Sequence, residues 1–269
     1  MTLNKAAWFW KISGILALLM AVFAAGWAAR ESDAMPAEKN SAELKDGGVA
    51  VVELFTSEGC SSCPPAEAVL GELSAEAEKS GRPIFALAFH VDYWNHLGWS
   101  DPFSSAQYSQ RQADYSRAFG LDGVYTPQMV VNGKTQFVGS DRKAADAAIA
   151  QGLRRPAAAT IQVSMATGAD GRDVVRYVVS GGEAGAVVNV AVVERGLSSK
   201  VERGENAGRT LRDTNVVRWF KTETLARDGK GEAALPKADA DEKKQMMVAV
   251  YLQRRTDMEV LGAGRCDYR

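Results

Sequence analysis

VAVVELFTSEGCSSCPPAEAVLGELSAEAEKS, residues Val49 to Ser80, decides the fold because its hydrophobic period changes part-way through. Val49 to Phe55 is a β-branched and aromatic run that suits a buried strand. Thr56-Ser57-Glu58-Gly59 is the turn after it. From Pro64 the apolar residues Ala66, Val69, Leu70 and Leu73 alternate with Glu67, Glu72, Glu76 and Glu78 at a helical period. Ser80-Gly81-Arg82-Pro83 stops that helix, and Ile84 to Phe89 is a second buried-strand run. Strand, helix and strand in this order predict a βαβ unit with parallel strands and a right-handed crossover.

Cys60-Ser61-Ser62-Cys63 sits between the first strand and the helix. Two intervening residues let the sulfurs approach to bonding distance, and a helix N-terminus carries unpaired amides and partial positive charge that stabilise a thiolate. A lowered thiol pKa assists both attack and departure in thiol–disulfide exchange. A CxxC in this position is the arrangement expected of a thioredoxin-like redox site. Pro64 suits the first helical position, which makes Cys63 the cap. Cys60 then lies ahead of the helix as the more exposed sulfur, with Cys60 attacking and Cys63 resolving. Two other readings stand beside this one. The pair is a permanent structural bond in a non-catalytic binding module, or Cys60, Cys63 and His90 bind a soft ion such as copper(I). His90 and His96 are the two histidines of the chain.

Further along, Asp92, Tyr93, Trp94 and Trp99 belong to an irregular aromatic loop that either walls a substrate groove or packs against the following helix. That helix runs from Ser104 to Phe119, with Gly120 as its stop. Thr126-Pro127 opens a third strand; on residue type alone its bond is read as trans, the common state. Asn132-Gly133 predicts a hairpin to Thr135–Val138, and Asp141 to Leu153 a last helix. Beyond Pro156 the pattern changes to β-branched runs at Thr160–Ser164, Val174–Val179, Val187–Val193, Val216–Phe220 and Met246–Leu252, punctuated by glycine. Such strands without helices between them predict a small antiparallel sandwich, with a boundary near Arg155. Cys266 stands far from the other two cysteines.

The first thirty residues read as a targeting segment rather than fold. Lys5 and Lys11 precede an apolar run from Ile12 to Ala29 with small residues near its end, the pattern of a secretory signal peptide. An uncleaved inner-membrane anchor is the alternative. Residues 31–48 are polar and read as a linker. Either reading of the N-terminus places the rest of the chain outside the cytoplasm, periplasmic or secreted. There thiols become disulfides, but a chain of 269 residues buries its own core and needs no staples. A net charge of −1 and the lack of a basic block argue against nucleic acid or an anionic membrane surface as partner. No cofactor is implied, and no membrane span other than the N-terminal segment.

Glu53 to Ala66, Val91-Asp92-Tyr93-Trp94-Asn95-His96-Leu97-Gly98-Trp99, Tyr125-Thr126-Pro127-Gln128 through Gly133, and Gly204-Glu205-Asn206 through Leu211 together resemble a bacterial family of secreted thioredoxin-like proteins of unknown function. The resemblance covers Val51 to about Leu252. It implies an α/β thioredoxin-like domain (49–155) followed by a β-rich, sandwich-like C-terminal domain (156–269). It also implies a cis Thr126–Pro127 bond, so that Thr126 and Pro127 join Cys60 and Cys63 as catalytic residues. The family supplies no substrate; the cysteine pair itself predicts thiol–disulfide exchange with exported proteins or a redox partner through a transient mixed disulfide. Two departures stand out: no Trp precedes Cys60, and Asp213 occupies a position where the family suggests histidine.

Overall fold

A computed structural model describes residues 47–268; residues 1–30, read above as a signal or anchor, and nearly all of 31–48, read as a linker, lie outside the described residues. Strands β1 (Ala50–Thr56) and β2 (Ile84–His90) pair in parallel from Ala50↔Ile84 to Thr56↔His90, joined by helix α1 (Pro64–Ser80). The βαβ unit is therefore present. A one-turn 3-10 helix, Asn95–Leu97, interrupts the aromatic loop, and helix α2 (Ala106–Phe119) follows. Strand β3 (Gln128–Val131) runs antiparallel to β1, and β4 (Thr135–Val138) antiparallel to β3. Asn132 and Gly133 both take positive φ at that hairpin. Gly133 is required there, because a Cβ would lie 1.8 Å from the Met258 carbonyl. Helix α3 (Arg142–Arg154) is capped by the Asp141 carboxylate on the Ala144 amide.

Past α3 the chain adds β5 (Ala159–Thr167), β6 (Asp173–Gly181), β7 (Val187–Glu194), β8 (Leu197–Lys200), β9 (Thr210–Asp213), β10 (Val216–Thr224) and β11 (Lys230–Ala234). A five-residue helix α4 (Ala240–Lys244), β12 (Met246–Gln253) and β13 (Val260–Asp267) complete it. These strands do not make a separate domain. A single eight-stranded mixed sheet has the order β13-β12-β7-β10-β2-β1-β3-β4, and β10 pairs with β2 at Val216↔Ala88. The expected α/β thioredoxin-like domain followed by a distinct β-rich domain is thus corrected: one predominantly β architecture runs through both halves of the sequence. The change of pattern at Pro156 marks the end of helical crossovers, not the edge of a core.

Period-2 alternation explains how one sheet serves three cores. Phe55, Phe85, Leu87, Phe89, Ala191, Val193, Val217, Met247, Ala249 and Tyr251 share one face, covered in part by Tyr108 and Tyr115 of α2. On the opposite face, Ala50, Val52, Leu54, Ala86 and Ala88 meet Leu70 and Leu73 of α1 and Ile149 of α3. The rest of that face, Val188, Val190, Val192, Val248 and Val250, is covered by the three-stranded sheet β11-β6-β5 through Ile161, Tyr177 and Val179. β1, β2 and β12 are consequently buried along both faces, which is why they read as continuous apolar runs. The remaining two strands, β8 and β9, form a short ribbon of their own. Among the described residues no helix is long and apolar enough to cross a membrane.

Candidate functional site

At the end of β1 the chain turns through Ser57–Gly59, and Cys60 and Cys63 follow as a bonded pair with Cα atoms 5.4 Å apart. Cys63 caps α1: its carbonyl accepts from the amides of Ala66 (2.9 Å) and Glu67 (3.1 Å). Pro64 and Pro65 occupy the first two helical positions, where no amide is needed. Cys63 itself takes helical angles, φ −78° and ψ −37°, despite the proline after it. The Thr126–Pro127 peptide is cis, and it brings the Thr126 side chain to the pair. The Thr126 hydroxyl donates to Cys60 Sγ at 3.3 Å, and Trp94 Nε1 donates to Thr126 Oγ1 at 2.8 Å. The Ser62 hydroxyl lies 3.2 Å from the same sulfur.

Both cysteines are 0% exposed, so Cys60 is no more accessible than Cys63. They are nevertheless shallow, because Ser61, Ser62 and Pro65 around them are exposed. The loop between β8 and β9 covers the pair. Asn206 Nδ2 donates to the carbonyls of Glu58 and Cys60, each at 2.9 Å, and the Glu205 carboxylate accepts from the Ser61 amide at 2.8 Å. Arg209 Nη1 in turn holds Asn206 Oδ1 at 2.7 Å.

Behind the cysteines lies a buried polar cluster. His90, at the end of β2, donates from Nδ1 to Asp101 Oδ2 at 2.8 Å. Asp101 also accepts from the amides of Glu58 and Phe103, both at 2.9 Å. His90 Nε2 is 3.8 Å from Glu67 Oε1 and 4.0 Å from Asp213 Oδ1. Burial lifts the Glu67 carboxyl to about 7, against the pull of His90. The Thr56 hydroxyl and Thr214 amide also favour its charged form, although neither makes a well-formed hydrogen bond to it. Burial also lifts Glu58 to about 7, reinforced by Asp101. Burial disfavours a charged His90, but Asp101, Glu67 and Asp213 outweigh it and bring its pKa to about 9. Burial raises the Asp101 carboxyl too, but His90 and the two amides overcome this and hold it below its usual value.

The aromatic loop is tied inward at most of its expected site residues. Asp92 accepts from the Ser109 hydroxyl at 2.5 Å, and the Tyr93 hydroxyl donates to Gln112 at 3.0 Å, fastening the loop to α2. Trp99 Nε1 donates to Glu58 Oε2 at 2.7 Å, while the Ser199 hydroxyl holds the other Glu58 oxygen. Trp94 is the member of the set that reaches the cysteines, through Thr126. His90 points its Nε2 at Glu67 and Asp213, and His96 bonds the Tyr93 carbonyl at 2.7 Å. Cys266 lies on β13 opposite Val248, whereas the Cys60 sulfur is bonded to Cys63.

Sequence reading gives Glu67 no role, offers Asp101 only as a further wall of the loop's groove, and sets Asn206 and Asp213 in a cleft between domains or, by default, in solvated turns. For Glu67 a signal was present: it falls three residues before Leu70 on the stripe with Ala66, Leu70, Leu73 and Ala77, a carboxylate on the buried face of α1. Asn206 and Asp213 read as solvated turn residues, yet both are buried.

A family described as proteins of unknown function, DUF1223, matches residues 51–253. The chain belongs to DUF1223. This member is also similar to a protein from Agrobacterium tumefaciens known from its crystal structure, with 30% identity and a TM-score of 0.62. The match covers 82% of this chain and 96% of the other. No curated protein matches the sequence.

Proposed function

We propose that this DUF1223 member is an exported thiol–disulfide oxidoreductase whose Cys60–Cys63 bond opens and reforms. The observation that carries the reading is an asymmetry between the sulfurs. Hydroxyls of Thr126 and Ser62 approach Cys60 Sγ, and among the described residues no hydrogen bond reaches the Cys63 sulfur. Hydrogen bonds to a sulfur stabilise its thiolate, which makes Cys60 the attacking and leaving group. In the reducing direction the Cys60 thiolate attacks one sulfur of a client disulfide, and the other client sulfur leaves as a thiolate. The Cys63 thiolate then attacks Cys60 Sγ, releasing the second client sulfur and restoring the intramolecular bond. Two electrons pass to the client, and an external dithiol partner must return them; oxidation of a client is the same sequence reversed. The N-terminal basic and apolar segment supports export, where disulfide-bearing clients and partners are found.

A specific observation favours a second reading, a structural bond: both cysteines are shut off from solvent. Equilibration of the native protein in glutathione buffers of graded potential, followed by alkylation and mass-spectrometric thiol counting, separates the two. A reversible two-thiol transition, with a mixed disulfide trapped on Cys60 in Cys63→Ala, is expected. A pair that stays bonded until the protein unfolds overturns the oxidoreductase reading.

A further inference from the structure

We propose that Glu67, His90 and Asp213 form a binding site for a divalent cation of the zinc class, set behind Cys63. The three come from different elements, α1, the end of β2 and the end of β9, and one ligand atom from each lies within 4.8 Å of the others. Each is buried. Both Glu67 oxygens, His90 Nε2 and Asp213 Oδ2 lack a hydrogen-bond partner, as does the hydroxyl of Thr56 beside them. Buried polar atoms are almost always paired, so this concentration of lone pairs at one point calls for a shared electrophile. A cavity of about 30 Å³ bordered by Thr56, Cys63, Glu67 and Asp213 gives it room.

The donor set identifies the class. One imidazole and two carboxylates suit zinc or a similar borderline dication, and a soft monovalent ion would seek sulfur instead. His90 is already arranged as a ligand. Its Nδ1–H is held by Asp101, itself fixed by two backbone amides, which turns Nε2 towards the cluster as the ligand atom once an ion displaces its proton. Metal–ligand bonds of about 2.0–2.2 Å in tetrahedral geometry place ligand atoms roughly 3.4 Å apart. The observed 3.8 and 4.0 Å from His90 therefore need a contraction of about half an ångström, and the third separation, within 4.8 Å, of at most about 1.4 Å. Because Asp213 ends β9, the ion would pin the ribbon whose loop covers the cysteines.

The test is calorimetric titration of the chelator-treated full chain with zinc chloride, with metal content measured after dialysis. One equivalent per chain is expected, with affinity reduced at least tenfold by the near-isosteric Glu67→Gln and Asp213→Asn. Asp101→Asn, which only orients His90, should weaken binding by about 10–100-fold. The Cys60→Ser/Cys63→Ser double variant must bind as the parent does, which keeps this site independent of the redox reading. Absence of stoichiometric zinc, unchanged affinity in Asp213→Asn, or loss of binding in the double cysteine variant overturns the proposal.

Discussion

Thr126 is the residue on which the reactivity of Cys60 turns, since it passes the Trp94 indole hydrogen bond on to the sulfur as its own hydroxyl donation. A hydrogen bond to a charged group is worth about 1.5–3 kcal/mol, more than a neutral one, so the thiolate gains more from it than the disulfide does. Thr126→Val keeps the shape and removes the donor. The expected result in the reduced protein is a higher Cys60 pKa, hence less thiolate at neutral pH and alkylation slowed about tenfold, the equivalent of ~1.4 kcal/mol. Iodoacetamide kinetics across pH measure this directly, and Thr126→Ser should restore the parent rate. An unchanged rate would show that the hydroxyl does not govern the sulfur. At this scale the sequence carried the local part of the site. Cys60, Cys63 and Cys63 as helix cap follow from residues adjacent in the chain. Glu67, Asp213 and Asn206 act by meeting residues on other elements, and residue type alone gave them the default role of solvated polar groups.

Among the elements, the β8–β9 ribbon is the part best suited to expose the pair. It has four residues in each strand and pairs with neither larger sheet, and a lone two-stranded hairpin is marginal by itself. Its loop is held over the cysteines chiefly by Asn206, whose amide serves two carbonyls at once. Asn206→Ala strands those carbonyls in a buried site at a cost of about 1–3 kcal/mol, levied on the closed position of the loop. Reduction of the native disulfide by dithiothreitol, followed by quenched alkylation, should accelerate about tenfold or more while the Tm falls only modestly. Glu205→Gln should do less, because that carboxylate is solvent-exposed. Equal reduction rates in Asn206→Ala and parent would mean that the ribbon does not gate the sulfurs. The ribbon was also the least legible piece of the chain. Leu197–Lys200 and Thr210–Asp213 bury about every second residue at most, too few to register as strands, whereas β7 and β12 are buried on both faces and stood out.

For the whole molecule, the join between β2 and β10 explains why sequence reading expected two domains. The five strongest strand signals after Pro156 are real, but strand pattern says which residues are extended and not which neighbour they choose. The join is thin in hydrogen bonds: the Val216↔Ala88 pair, the Ala88 amide on Asn215 O at 2.9 Å, and Asn215 Nδ2 on Ala86 O at 3.1 Å. What crosses it in bulk is the shared face. There Arg111 of α2 makes a bidentate pair with Glu53 of β1 at 2.7 and 2.8 Å, and also donates to Gln253 of β12 at 3.2 Å. Its guanidinium packs within 5.6 Å of the rings of Phe89 and Tyr115 from the first half and Phe220 and Tyr251 from the second. One buried cation is therefore shared by both halves, and its loss should loosen them together. Arg111→Met leaves the Glu53 carboxylate buried without its partner, and destabilisation of about 3–5 kcal/mol is expected. Glu53→Leu combined with Arg111→Met removes both charges and should recover much of that loss. Urea unfolding followed by tryptophan fluorescence and far-ultraviolet circular dichroism should give coincident transitions in the parent and both variants. If Arg111→Met instead melts one half while the other persists to the parent midpoint, the eight strands do not behave as one sheet.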